Sequence, residues 1–154
     1  MADNRLIEAR PDGGGARFCI VASRYNPQIV DSLMDGALRA LREHNAPGAD
    51  IVRVPGAFEI PLAASRCADA GRYAGIVAVG CVIRGQTPHF DHVVRECSRG
   101  IARVILDTGV PVGFGVLAAD NAEQAMARAG ADRNRGAEAA LAALEMACLL
   151  RRLG

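Results

Sequence analysis

An α/β fold built on four parallel strands is predicted by the way apolar residues alternate along this 154-residue chain. Short apolar runs follow one another at intervals that leave room for a helix between them, the pattern of a βαβ chain. One run, Gly75–Ile83, is almost continuously apolar, which is typical of a parallel strand covered on both faces. The sequence contains no internal repeat and no shift of composition after about residue 16, so one layered unit is expected.

The first predicted strand covers residues 17–23, a short run with β-branched side chains. After it, apolar residues from Ile29 to Leu41 fall on one helical stripe. Asn26 is a preferred N-cap residue and Pro27 is tolerated at the first helical position, so the first helix is predicted to begin there. This helix ends before residues 45–48, where Asn, Pro and Gly break the pattern.

The middle of the chain repeats this alternation. The second predicted strand, residues 50–54, ends at a Pro-Gly pair, and the helix after it finishes near Gly71. The third strand is Gly75–Ile83. The third helix follows Thr87-Pro88 and extends to about Thr108.

The last third of the chain completes the prediction. The fourth strand covers residues 110–117, a short helix follows at about residues 122–129, and a long Ala/Leu-rich helix runs over about residues 136–150. Because crossovers between parallel strands are right-handed, these elements form a three-layer α/β sandwich of flavodoxin-like type.

Two regions are expected. Residues 1–16 form an N-terminal extension, which the glycines at 13–15 allow to be flexible. Residues 17–154 form a single domain. A chain of this size buries about 70% of the surface of its unfolded state, so folding requires neither a metal nor a disulfide.

Composition and charge exclude several classes of function. The chain has 18 Lys and Arg against 17 Asp and Glu, and 4% of its residues are aromatic. Nucleic-acid-binding proteins usually carry a clustered basic excess, so no nucleic-acid partner is predicted. No apolar run approaches the roughly 18 residues of a spanning helix, and residues 1–15 are charged and Gly-rich, unlike a signal peptide. No membrane association is therefore predicted.

The five cysteines show no regular spacing. Their number is odd, and they form no CxxC pair: Cys19, Cys67, Cys81, Cys97 and Cys148. A disulfide framework or a zinc site is therefore not expected, and reduced thiols in core positions are the simplest interpretation. The predicted location is cytoplasmic, because the sequence shows neither an apolar run long enough to span a membrane nor a signal peptide.

In open parallel sheets, ligands bind outside the carboxyl ends of the strands, so the strand-to-helix junctions are the segments to inspect. Each junction carries unusual residues. They are residues 23–26 (Ser-Arg-Tyr-Asn), residues 54–59 (Val-Pro-Gly-Ala-Phe-Glu), residues 83–89 (Ile-Arg-Gly-Gln-Thr-Pro-His), and Phe114 at the late end of the fourth strand. Aromatic side chains beside a polar rim indicate a flat heterocyclic ligand.

The third junction has the features of an exposed helix N-terminus. Gly85 frees the backbone to bend, Thr87 is a good cap, and Pro88 suits the first helical position. Free N–H groups and the positive end of the helix macrodipole favour an anion such as phosphate there, with Arg84 or a distant Arg adding charge. The same residues are equally compatible with a well-capped helix that binds nothing.

His89 is the best acid/base candidate, because it lies in the first turn of that helix and imidazole exchanges protons near neutral pH. His92 follows at a spacing that a metal would accept, but no carboxylate or further His with helical spacing accompanies the pair. No metal site is therefore predicted. His44, near a helix end, is expected to be a solvated surface residue.

Two further residues have alternative interpretations. Glu59 is either a first-turn acid that stabilises the helix dipole or an acceptor for N–H groups of a ligand. Arg128 lies near a helix end before Gly130, and on local grounds it is expected to satisfy terminal carbonyl groups.

Long motifs in this chain are similar to those of one known family. They are Val54-Pro-Gly-Ala-Phe-Glu-Ile-Pro61, Gly80-Cys-Val-Ile-Arg-Gly-Gln-Thr-Pro-His-Phe-Asp91, and Phe114-Gly-Val-Leu117 with Glu123-Gln-Ala and Arg128-Ala-Gly130. In this order, over about residues 17–150, they resemble the lumazine synthases. The resemblance implies the penultimate step of riboflavin biosynthesis, in which 5-amino-6-(D-ribitylamino)uracil and 3,4-dihydroxy-2-butanone 4-phosphate give 6,7-dimethyl-8-ribityllumazine, phosphate and water. It implies no cofactor and no metal.

The resemblance also implies roles for individual residues. His89 would be the proton donor and acceptor, and Gln86, Thr87 and Arg128 would bind the phosphate. For Arg128 this reverses the local interpretation. The residues expected to hold the uracil and ribityl groups are Tyr25, Ala57, Phe58, Glu59, Cys81, Val82, Ile83 and Phe114.

The resemblance further implies that sites lie between subunits, with Phe114 coming from a neighbour. Activity would then require a homo-oligomer, a pentamer or a multiple of it, up to icosahedral shells. Three positions depart from the commonest pattern: Tyr25 stands where Phe or Trp is frequent, His92 where Tyr is usual, and Arg135 where Lys is frequent. A phenol ring keeps the π-face, so Tyr25 is expected to preserve stacking.

Other functions are alternatives to a synthase. A catalytically weak paralogue that binds flavin or lumazine, or that forms a shell, is expected to lack at least one of Thr87, His89 and Arg128, which are all present. A generic flavodoxin-like binder would retain flavin on purification. A metal hydrolase built on His89 and His92 would be inhibited by a chelator.

Overall fold

The computed structural model describes residues 2–154 and contains the predicted alternation of strands and helices. The strands are Phe18–Ser23 (β1), Ala49–Val54 (β2), Gly75–Ile83 (β3) and Val112–Ala119 (β4). The helices are Pro27–Glu43 (α1), Ile60–Asp69 (α2), His89–Thr108 (α3), Ala122–Ala127 (α4) and Arg135–Leu153 (α5), and a 3₁₀ turn at Ala57–Glu59 precedes α2.

The four strands form one parallel sheet in the order β2-β1-β3-β4. Helices cover both of its faces, so the predicted three-layer, flavodoxin-like α/β sandwich is confirmed. The strand order places the carboxyl ends of β1 and β3 side by side, with β2 and β4 at the two edges. Ligand-binding segments after neighbouring strands therefore converge at one end of the sheet.

Two apolar cores lie on opposite faces of the sheet, because successive side chains of a strand point to opposite sides. Ile20 of β1 packs with Leu33 of α1 and Leu144 of α5 in one core. Val21, the next residue, packs with Ile60 of α2 and Ile101 of α3 in the other. Burying each of these side chains contributes about 1.5–3 kcal/mol, so both helix layers are fixed against the sheet.

Helix α5 approaches its neighbours unusually closely at two glycines. A Cβ atom on Gly136 would lie 1.9 Å from the carbonyl oxygen of Leu33, and one on Gly113 would lie 2.0 Å from that of Ala139. Asn134 locks the start of α5, since its side chain accepts from the N–H of Ala137 and donates to the carbonyl of Ser32. The segment between α4 and α5 is thereby held against α1.

The N-terminal segment runs along the outside of α5 and the end of α1. Arg152 donates to the carbonyl of Glu8, Arg151 donates to that of Asp12, and the N–H of Gly13 donates to that of His44. Among residues 2–154, no helix combines the length and the apolar character that crossing a membrane requires.

The cysteines are free thiols in this fold. Cys19, Cys81 and Cys97 are buried, as predicted, whereas Cys67 and Cys148 are half-buried. Burial raises the pKa of Cys97 to about 12. The buried thiols are therefore protonated at neutral pH.

Candidate active site

The junction after β1 brings an aromatic ring to the end of the sheet. Tyr25 is 71% exposed, and its ring lies on the turn that follows β2. A Cβ atom on Gly56 would lie 3.2 Å from Tyr25 Cδ2 and 3.8 Å from Glu59 Oε1. Glycine at this position thus lets the Tyr25 ring and the Glu59 carboxylate approach the same patch of backbone.

Asn26 occupies the N-cap position before α1, as predicted, but its side chain makes no capping hydrogen bond to the helix. The residue adopts a left-handed conformation with φ of 58°, and its Nδ2 donates to the carbonyl oxygen of Cys81 at 3.0 Å. Asn tolerates this conformation better than most residues. The side chain therefore ties the first junction to the end of β3 instead of satisfying the helix N–H groups.

The turn after β2 presents one more ring and a carboxylate. Phe58 is 59% exposed, Glu59 is half-buried, and Ala57 is buried against the core formed with α2 and α3. This 3₁₀ turn packs against α3, the helix that begins at His89. Because the side chain of Ala57 is buried, this residue can offer a ligand only its backbone.

The last three residues of β3 differ in what they can offer. Cys81 is 2% exposed and its side chain lies in the core with α1 and α5, where burial raises its pKa to about 11. The thiol therefore stays protonated and can contribute only its backbone to a site. Val82 and Ile83 are half-buried and pack on opposite faces of the sheet.

The turn between β3 and α3 exposes polar groups. Gln86, Thr87 and His89 are all exposed, and within residues 2–154 the backbone N–H groups of Gln86 and Thr87 have no hydrogen-bond partner. The helix begins at His89, one residue later than predicted, so Pro88 precedes its first position. Thr87 Oγ1 accepts from the N–H of His89 at 3.4 Å, which is a long contact.

Arg84 does not add free positive charge to this turn. Its Nε donates to Asp120 Oδ1 at 2.9 Å, and its Nη1 lies 3.6 Å from Asp91 Oδ1. These carboxylates, chiefly Asp120, which accepts the hydrogen bond, hold the pKa of Arg84 above its usual value. We refer to the residues at the ends of β1, β2 and β3 as the strand-end half of the site: Tyr25, Ala57, Phe58, Glu59, Cys81, Val82, Ile83, Gln86, Thr87 and His89.

Phe114 lies elsewhere, and the prediction that it stands at the late end of its strand is wrong. Strand β4 begins two residues later than expected, after Pro111, and Phe114 is its third residue, opposite Ala78 in the middle of β3. Its ring is 41% exposed and lines a hollow of about 240 Å³. Because β4 is an edge strand, this hollow opens to the side of the sheet.

The same hollow contains the second phosphate candidate. It is lined by Phe114, Gln124, Arg128 and Arg135, together with backbone neighbours in β4. Nη1 of Arg128 donates to the carbonyl of Gln124 at 2.9 Å, so the local interpretation of this arginine is confirmed for one nitrogen. In residues 2–154 its other guanidinium nitrogens have no hydrogen-bond partner. We call Phe114, Gln124, Arg128 and Arg135 the edge half.

Sequence reasoning assigned no role to Arg135 in this hollow. It stands in the first turn of α5, where a cation opposes the helix dipole. Glu138 compensates only in part, with its Oε2 at 3.5 Å from Arg135 Nε. Arg135 at the positive end of the dipole of α5 is unfavourable for the stability of the helix, and this is the sequence signal that could have indicated a functional role. In residues 2–154, no group of three or more His, Cys, Asp or Glu side chains is arranged to hold a metal ion.

Comparison of the sequence with known proteins identifies one family. The profile of the 6,7-dimethyl-8-ribityllumazine synthase family matches residues 15–151. Two proteins named 6,7-dimethyl-8-ribityllumazine synthase from Nitratidesulfovibrio vulgaris, strains DP4 and Miyazaki F, are 50% and 49% identical over 99% of this chain and their own full lengths. A protein of the same name from Halorhodospira halophila is 52% identical over 90% of both chains. The chain therefore belongs to the 6,7-dimethyl-8-ribityllumazine synthase family.

Proposed function

We propose that this protein is an enzyme that condenses 5-amino-6-(D-ribitylamino)uracil with 3,4-dihydroxy-2-butanone 4-phosphate. The products are 6,7-dimethyl-8-ribityllumazine, phosphate and water, in the penultimate step of riboflavin biosynthesis. The observation that carries the proposal is the family match over residues 15–151, which includes every residue of both halves of the site. The steps are carbonyl–amine condensations and an elimination, so the proposal includes no metal and no redox cofactor.

The phosphate group is proposed to bind at the start of α3. The exposed N–H groups of Gln86 and Thr87 lie where the helix dipole is positive, an arrangement that favours a dianion. Arg128 would add a charge-assisted hydrogen bond through the guanidinium nitrogens that Gln124 does not use. Holding the phosphate fixes the adjoining ketone for attack by the amine.

His89 is proposed to move the protons of the reaction. The amine of the uracil attacks the ketone carbon, and water leaves as the Schiff base forms. Phosphate then departs by elimination, and the enol that remains rearranges to a ketone. The second amine attacks this new carbonyl carbon and closes the ring with loss of a second water. Each step needs a proton added to or removed from oxygen, nitrogen or carbon, and an exposed imidazole one residue beyond the phosphate turn suits that task.

The uracil ring is proposed to lie between aromatic side chains. Tyr25 and Phe58 are exposed although they are large and apolar, which is typical of side chains that a flat ligand covers. Glu59 offers its carboxylate beside Tyr25 as an acceptor for N–H or hydroxyl groups. Backbone groups of Ala57, Cys81, Val82 and Ile83 complete this part of the site.

We further infer that a complete site forms between two copies of the chain. Phe114 and Arg128 share a hollow on the open edge of β4, whose lining does not include Gln86, Thr87 or His89. A neighbouring copy placed against this edge would receive Phe114 and Arg128 from the first chain. Repeating such a head-to-tail contact closes a ring, and we propose a pentamer or a multiple of it.

A cytoplasmic location is part of the proposal. It is supported by the five free cysteines, because thiols persist in reducing compartments.

The test is to mix the purified protein with both substrates, without added metal, and to follow lumazine absorbance together with phosphate release. Equimolar appearance of both products above the uncatalysed background is expected. The His89→Ala variant serves as the control for an adventitious contaminant, because a contaminating enzyme would leave its rate unchanged. No acceleration by the wild-type protein would contradict the proposal and favour a ligand-binding or shell-forming relative.

A further inference from the structure

The side chain of Arg84 joins three parts of the molecule at the end of the sheet. It follows β3, pairs with Asp120 just after β4, and faces Asp91 in the first turn of α3. Its guanidinium carbon also lies 4.4 Å from the centroid of the Phe90 ring. The guanidinium is thus held by two carboxylates and one aromatic face.

The turn that Arg84 begins has few other restraints. The N–H of Arg84 donates to the carbonyl of Ala119, and Thr87 Oγ1 makes its long contact with the N–H of His89. Gly85 has no heavy atom within 4 Å of the position its Cβ would occupy. Residues 85–88 are all exposed, so little packing restrains them, and the side chain of Arg84 links the start of this turn to Asp91 beyond its end.

We propose, on the basis of the function proposed above, that Arg84 is a positioning residue for the phosphate end of the site. By holding Asp91 and Asp120 together, its guanidinium fixes the start of α3 relative to the ends of β3 and β4. Gln86, Thr87 and His89 are carried by the backbone that this link spans. Without the link, the turn would have to be ordered by the substrate itself, which weakens binding.

The same link reaches the edge half. The backbone N–H of Asp120 donates to Gln124 Oε1 at 2.8 Å, and Arg128 donates to the carbonyl of Gln124. Asp120 is therefore restrained from both sides, by Arg84 and by α4. Through it, the residue proposed to position the phosphate turn is joined to the helix that presents Arg128.

Lysine should not replace Arg84, even though it preserves the charge. A guanidinium presents several N–H donors in a rigid plane and stacks on an aromatic ring, whereas an ammonium group is a compact point charge. The contacts with Asp120, Asp91 and Phe90 use all of these features. Arg84→Lys thus separates the geometry of the link from its charge.

The test compares Arg84→Met and Arg84→Lys with the wild-type enzyme, measuring kcat and the KM of each substrate separately. Arg84→Met is expected to raise the KM of the phosphate-bearing substrate about tenfold and to leave the KM of the uracil substrate unchanged. Arg84→Lys should recover only part of the loss. Arg103→Met is the matched control. Arg103 forms an exposed ion pair with Asp107 within α3, so this variant should have wild-type kinetics.

Hydrogen–deuterium exchange provides a readout that does not depend on catalysis. Amides of peptides that contain residues 85–91 should exchange faster in Arg84→Met than in the wild type, with peptides from β1 unchanged. This arm tests the link even if the wild-type protein proves inactive, a result that would contradict the proposed function alone. Unchanged exchange, full recovery by lysine, or an equal rise in both KM values would overturn the role proposed for Arg84.

Discussion

The two halves of the candidate site are built in different ways. The strand-end half rests on turns and a helix start at the ends of β1, β2 and β3, where backbone N–H groups and exposed rings face outward. The edge half rests on the side of β4, on α4 with the residue that follows it, and on the start of α5, where side chains line a hollow. We infer that the first half performs the chemistry and orients the uracil, whereas the second supplies charge and one aromatic wall to a neighbour.

The largest effect is expected from His89→Ala, which removes the proposed proton carrier from the strand-end half. We expect kcat to fall about 10²-fold, with turnover reduced but not abolished because orientation of the substrates is retained. Steady-state kinetics of lumazine formation measure the change. His92→Ala is the matched control, as this residue is exposed one turn further along α3. An unchanged kcat in His89→Ala would remove this residue from the mechanism.

The next largest effect is expected from Arg128→Ala in the edge half. Loss of a charge-assisted hydrogen bond should raise the KM of the phosphate-bearing substrate roughly thirtyfold, while the KM of the uracil substrate stays the same. Arg133→Ala is the control, because Arg133 is exposed and is not part of the hollow's lining. Equal weakening of both substrates would contradict the division of roles between the halves.

A smaller effect is expected from Tyr25→Leu. Replacing the phenol ring by an aliphatic side chain should weaken binding of the uracil substrate about fivefold, since only the stacking contribution is lost. Tyr25→Phe keeps the ring and should bind like the wild type. Isothermal titration with the uracil substrate alone measures both variants, and undiminished binding by Tyr25→Leu would refute the stacking role.

The smallest effect on activity is expected at Asp50, far from both halves at the start of β2. Hydrogen bonds from Arg17 and Tyr73 lower the pKa of Asp50 to about 2. The folded state thus favours the ionised carboxylate, and the stability it contributes is present above the ordinary pKa of about 4 and is lost as pH falls towards 2. Asp50→Asn should keep full activity at neutral pH.

Thermal unfolding of wild type and Asp50→Asn between pH 5 and about pH 2 checks this prediction. The wild-type unfolding temperature should fall more steeply than that of the variant over this range. Identical slopes would mean that the interactions of Asp50 persist in the unfolded chain or do not stabilise the fold.

The sequence predicted the strand-end half better than the edge half, for a physical reason. The strands and the start of α3 follow from local apolar periodicity and from Thr87-Pro88, so His89 could be placed without knowledge of the fold. Phe114 was misplaced because Pro111, which lacks an N–H group, moves the start of β4 to Val112. Phe114 in β4 and Arg128 after α4 line the same hollow. Local sequence patterns do not show that these two segments lie close together.

Asn26 illustrates the same limit. Its residue type predicts a helix cap, but its left-handed backbone directs the side chain to the carbonyl oxygen of Cys81, 55 residues further along the chain. The residue type correctly predicted that Asn26 lies at the N-cap position of α1. It did not predict that the side chain would donate to the carbonyl oxygen of Cys81. Contacts between the ends of neighbouring strands depend on sheet order, which residue types near one junction do not encode.

The proposed division of the site between two copies of the chain predicts that damaged subunits repair one another. A His89→Ala chain retains Arg128, and an Arg128→Ala chain retains His89, so a mixed ring contains some contacts where two intact halves meet. With equal amounts and random assembly, about one contact in four would be whole. At a concentration of the phosphate-bearing substrate well below the raised KM of Arg128→Ala, mixing the two variants after dissociation and reassembly should therefore give more activity than the average of the two variants alone.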